Sequence, residues 1–158
     1  MTDEMKQEHA RKVYQSIIEV LDERQWKYQR LDDKLQVQFA VRSEDMHIYY
    51  VMGVDARRQL ITVNSPMTFK MDASKRIDGA IITTVATRCL LDGNFDYDIE
   101  SGRISFRLSA SIAGTEVGKK MIAYFIDWTN LAVDRYNDRF EAVNSGRMTI
   151  QEFVSIKD

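Results

Sequence analysis

Between Asn94 and Ser109 apolar and polar residues alternate on both sides of Ser101-Gly102, and a period of two commits that stretch to a sheet. With Ser101-Gly102 as a two-residue turn, Phe95 faces Leu108, Tyr97 faces Phe106 and Ile99 faces Ile104 on one surface of the hairpin. On the other surface Asp96 meets Arg107, Glu100 meets Arg103 and Asp98 meets Ser105. Opposite charges at such positions stabilise a ladder by roughly 0.2–1 kcal/mol per pair. The densest acidic cluster of the chain is thereby assigned to strand pairing rather than to catalysis.

The same period recurs upstream. Trp26 to Arg30 and Leu35 to Val41 flank Asp32-Asp33, a turn that sets Trp26 opposite Phe39 and Tyr28 opposite Val37. Met46 to Met52 is apolar or aromatic on both faces, the pattern of a central strand covered on two sides. Leu60 to Val63 returns after the Asp55 to Arg58 turn, and the pattern breaks from Asn64 to Asp72 around Pro66, the only proline.

Helical spacing occupies the rest. Ala10, Val13, Ile17, Val20 and Leu21 mark a surface helix over 4–24. Ile77, Ala80, Ile81, Thr84, Val85 and Cys89 mark a second, capped by Asp72 or Ser74. A third runs from a Thr115 cap to about Asn144 and closes at Gly146. Thr149 and Glu152 have capping-box spacing for a last turn over Ile150 to Val154. The order α-ββββ-α-ββ-α predicts an α+β fold, an antiparallel β-sheet of about six strands with helices packed on it. No linker, repeat or compositional break divides residues 1–158, and one domain is expected.

The third helix is apolar around too much of its surface. Val117, Met121, Tyr124, Phe125, Trp128, Leu131, Ala132, Tyr136 and Val143 form one stripe. Ile122, Ile126 and Val133 form another beside it, together an arc of roughly 220°. A sheet cannot cover that alone, so a neighbouring helix or a second subunit must bury the second strip. Ile122, Ile126 and Val133 are therefore the candidate dimer or partner surface. Met67, Phe69 and Met71, adaptable apolar side chains in the irregular connection around Pro66, are the candidate peptide contact, unless they fold under as a lid on the core.

Net charge is −2 and the pI near 5.7, so the cationic field that gathers nucleic acid is missing. The start of the chain has neither a basic segment nor an apolar run of secretory or spanning length. A cytoplasmic protein that binds neither nucleic acid nor membrane is expected. Cys89 is the only cysteine; at a core-facing helical position it reads as a packed thiol.

Asp92, Asn94 and Asp96 match the opening of a calcium loop, but Tyr97 replaces the turn glycine and Arg103 the bidentate glutamate. His9 and His47 have no ligand at recognisable spacing, and Arg57-Arg58 lies in a turn beside Asp55. Catalytic, cofactor and metal residues are accordingly expected to be none.

The Gly93-Asn94-Phe95 start of a strand, the Glu100-Ser101-Gly102-Arg103 turn, the strand through Phe106, the late helix with Ala132, Asp134, Arg135, Tyr136 and Asp138, and the Gly146 to Glu152 tail resemble the YbjN-like family. That family is labelled as bacterial sensory-transduction regulators, and its fold is akin to type III secretion chaperones. The resemblance implies a non-enzymatic protein-binding or regulatory module, chaperone-like and homodimeric, with a protein partner or client peptide and no catalytic residue to carry over. The alternative is a small-molecule sensor or enzyme with a pocket between the last helix and the sheet, lined by Trp128, Tyr124 and Tyr50.

Overall fold

Thr2 starts the first helix by accepting the Met5 N–H, with Asp3 and Glu4 in the first turn where the helix dipole favours acidic groups. The computed structural model describes residues 1–156. In chain order they form α1 (Asp3–Glu23), β1 (Tyr28–Leu31), β2 (Gln36–Arg42), β3 (His47–Asp55), β4 (Leu60–Lys70), α2 (Arg76–Cys89), β5 (Asn94–Asp98), β6 (Arg103–Ser111), α3 (Lys119–Asn144) and α4 (Ile150–Ser155). All six strands join one antiparallel sheet, ordered β1-β2-β3-β4-β6-β5. The expected α+β architecture is the one observed, and the Thr149–Glu152 capping box opens α4.

Strand residues of one parity are buried together under the helices: Val37, Phe39, Ile48, Tyr50, Met52, Ile61, Val63, Ile104, Phe106 and Leu108. Phe39 stacks on Tyr50 at 4.6 Å, and Phe95, Tyr136, Phe140 and Phe153 form an aromatic cluster beneath α3 and α4. Among the described residues no helix packs on the opposite face of the sheet. Tyr49 there is 48% exposed, so β3 is covered on one side only, against the expectation from its doubly apolar sequence.

Both outer hairpins slip by two residues from the expected register. Tyr28 rather than Trp26 faces Phe39, and Phe106 rather than Leu108 faces Phe95. Each turn is longer than two residues and closes on a left-handed residue, Leu35 (φ 50°) after a 3-10 turn over Asp32–Lys34 and Gly102 (φ 74°) after Ile99 to Ser101. Asp98, now opposite Arg103 rather than Ser105, organises its turn, accepting from the Ser101 hydroxyl and the Glu100 N–H. A slip of two preserves the faces, and Arg107 still reaches Asp96 at 3.2 Å.

The break expected around Pro66 is absent from β4, which continues beside β6 to Lys70 with a register shift between Pro66 and Lys70. The β3–β4 ladder instead stops at Val51 opposite Asn64, short of the proline, which has no N–H to contribute. The α3 helix begins at Lys119 with Gly118 as its N-cap, not at Thr115, whose N–H is held in a turn on Ile112.

Candidate functional site

Several ionisable side chains are spent in structural pairs, dispersed over the fold. Arg24 grips Asp127 with two hydrogen bonds of 2.8 and 3.1 Å, Lys119 bridges Glu19 and Glu23, and Arg58 closes the Asp55 turn. Tyr14 donates to Asp32 at 2.7 Å, and burial followed by that carboxylate pushes its hydroxyl up to about 12. Hydrogen bonds from Arg30 and Tyr14 hold the Asp32 carboxyl below its ordinary value. Burial and the nearby Asp127 charge raise the Tyr50 hydroxyl. These partners account for the shifts. Among the described residues no group of His, Cys, Asp or Glu is arranged to hold a metal, and no helix is long and apolar enough to cross a membrane. His9 instead contacts the Ile112 carbonyl at 2.9 Å, tying α1 to the end of β6.

The strip Ile122, Ile126 and Val133 lies inside the protein, each at most 1% exposed. Lys119 with Glu19 and Glu23, and Asp127 with Arg24, fasten α1 along that side of α3, so a helix of the same chain supplies the cover that the sequence demanded. What remains outside is the opposite margin of the arc, where Tyr124 and Leu131 are 44% and 47% exposed. Tyr124 donates to Asp92, and Trp128 donates to the Asp92 carbonyl, placing both on the outer surface rather than in a pocket under α3. Met67 and Met71 are buried and Phe69 packs on the core, so this segment is not an open peptide contact; the extension of β4 turns it under the helices. Cys89, expected to be packed, is exposed: it is the last residue of α2, beyond Ala86, the last residue that this helix buries.

Two features were not legible from sequence spacing. The first is a groove of about 430 Å³ between α2 and edge strand β5, lined by Ala80, Thr83, Thr84 and Thr87 opposite residues 94–97 and Ile99. Thr83 and Thr84 turn their hydroxyls back onto the helix carbonyls of Gly79 and Ala80, which leaves their methyl groups for the groove. The Phe95 N–H points out of the sheet to Thr87 Oγ1 at 2.9 Å, and by the alternation of a strand the main-chain groups of Tyr97 point the same way. Beside the groove α2 exposes Ile77 (66%) and Ile81, and the turn exposes Ile99. The second is a cavity of about 180 Å³ lined by Arg24, Trp26, Tyr50, Asp127 and Asn130. There the buried Asn130 Oδ1 has no hydrogen-bond partner among the described residues.

No family model matches the chain, and no curated protein matches it. Solved structures share its architecture, two of them over most of the chain. One is a chain of the ExsC–ExsE complex, 11% identical over 82% of this chain and 93% of that one, with a TM-score of 0.58. The other is YbjN from E. coli, a proposed transcription regulator, 11% identical over 85% and 92%, with a TM-score of 0.60. At such identity the likeness is one of fold, and it is the fold that the sequence resemblance implied.

Proposed function

We propose that this chain is a non-enzymatic protein-binding module, chaperone-like and homodimeric, which holds an extended segment of a protein partner along the α2–β5 edge. The observation that carries the reading is the groove itself, where β5, its Phe95 N–H already held by Thr87, turns the main-chain groups of Tyr97 outward beside threonine methyls and exposed isoleucines. A strand added to an open edge gains affinity from main-chain hydrogen bonds, and its alternate side chains enter the flanking pocket. The groove suits small or β-branched side chains on that partner. The ExsC–ExsE structure, a two-protein complex on a comparable fold, supports a binding role. The dispersal of titratable groups into structural pairs supports a non-enzymatic one.

The test is affinity purification of the wild-type chain beside two variants. Thr84→Lys obstructs the groove, and Leu131→Lys alters the far side of the molecule. A partner captured by the wild type and by Leu131→Lys but lost with Thr84→Lys is the expected result. Equal capture by all three overturns the groove. A sensor role has one specific observation in its favour, the small cavity beside Tyr50 with its unpaired Asn130 oxygen, and it predicts a small molecule retained through purification and visible by mass spectrometry.

A further inference from the structure

The helix-free face of the sheet has an unusual composition for a water-exposed surface. One complete cross-sheet row reads Gln29, Gln38, Val51, Asn64, Arg107, Asn94. The adjacent rows add Thr62 opposite Ser109 on one side, and Tyr49 opposite Ala40 with Ser105 opposite Asp96 on the other. Charged residues make up 29% of the chain, yet these three rows contain a single ion pair, Asp96 with Arg107. Further charges appear at the end of the face, at Arg42 and Arg103. Depletion of charge over the middle of a face that also presents a tyrosine, with charges gathered at its end, is the composition of a protein interface.

We infer that this face is where two copies of the chain meet, sheet against sheet, about a two-fold axis. The reasoning deepens the homodimer reading and rests on it. An isologous interface must be its own complement. Side chains of Gln, Asn, Ser and Thr each present both a donor and an acceptor, so such a surface can match itself after rotation, whereas an unpaired charge at the axis would meet its own copy. Size agrees. Strands spaced about 4.8 Å apart and rising about 3.4 Å per residue give a six-stranded face on the order of 500–700 Å², near the 800 Å² or so that each partner contributes to a standard interface. Sheets packed in this way lie about 10 Å apart, close enough for Tyr49 and Val51 to interdigitate with their copies. The α2–β5 groove lies at the sheet's edge and stays open in such a dimer.

Light scattering of the full chain during size exclusion, from about 1 to 100 µM, gives the mass. Tyr49→Lys/Val51→Lys sets four ammonium groups across the two-fold axis and is expected to weaken the dimer by about tenfold or more. Ile81→Asp, on the outer face of α2, is expected to leave the mass unchanged. A wild type that is monomeric throughout overturns the homodimer reading and this face together. A dimer that survives both Tyr49→Lys/Val51→Lys and Thr62→Lys/Ser109→Lys but dissociates in Ile81→Asp keeps the homodimer and overturns the face. If the first double variant fails to fold, the second decides, beside radical footprinting of Tyr49 in the wild type, whose labelling must fall as concentration rises.

Discussion

Replacing Ile126 by Ala separates a surface strip from a core position. Ile126 is 1% exposed on the underside of α3, so the substitution removes three carbons from the interior. At about 0.8 kcal/mol per buried carbon the transfer loss is near 2.4 kcal/mol. The space left behind adds roughly 1 kcal/mol, because neighbours relax only in part. Alanine's better helix propensity returns about 0.4 kcal/mol, which leaves a net cost near 3 kcal/mol. Leu131→Ala is the control; at 47% exposure it leaves no cavity and should cost under about 1 kcal/mol. Urea unfolding reads both. With a slope of about 1.5–2 kcal/mol per molar, the Ile126 variant's midpoint should fall by roughly 1.5–2 M and the Leu131 variant's by well under half of that. The reasoning is refuted if Ile126→Ala loses less than about 1 kcal/mol while the mass of the protein in solution drops, for then the strip faces a partner and α1 does not cover it.

Three further outcomes follow from particular contacts. Gly102→Ala should destabilise by about 2–4 kcal/mol, since a Cβ at that left-handed residue overlaps the Met71 carbonyl oxygen, whereas Gly146→Ala, also left-handed but with open space around it, should lose only about 1 kcal/mol; thermal unfolding compares them. The Tyr14 hydroxyl, held protonated up to about 12 against an ordinary 10.0, contributes stability that is complete below pH 10 and is lost as pH rises through 12; Tyr14→Phe should lower stability at neutral pH by about 1 kcal/mol and flatten that alkaline slope in denaturant titrations. Cys89 should react with a thiol reagent in the folded protein, and reaction only on unfolding would restore the packed position that its helical spacing suggested.

Local signals carried the fold a long way. Period two located the strands of the two outer hairpins, period 3.6 the helices, and capping residues the ends at Thr149 and Gly146, whereas α2 and α3 start at Lys75 and Gly118 without the caps read at Asp72 or Ser74 and at Thr115. The departures have separate local causes. Asp32-Asp33 and Ser101-Gly102 read as tight turns, but the turn type was set by a left-handed residue at its end, and for Leu35 no composition rule marks that conformation. Pro66 reads as a break because proline cannot serve two ladders, yet it needed only to lose one, and β4 continues along β6. The groove was invisible for a different reason: its threonines and the outward N–H of Phe95 are ordinary residues whose meaning comes from the apposition of α2 and β5.

By itself the chain's pattern of apolar residues determined which segments are strands and helices, in what order, and that α3 carries more greasy surface than a sheet can take. Only the folded arrangement decided which margin of α3 stays uncovered. That choice depends on where α1 lands, through Arg24 on Asp127 and Lys119 on Glu19 and Glu23, contacts across about a hundred residues that no local period encodes. Burial thus went to Ile122, Ile126 and Val133, and exposure to Tyr124 and Leu131, because a helix can be shielded only by the neighbour that tertiary packing sets beside it.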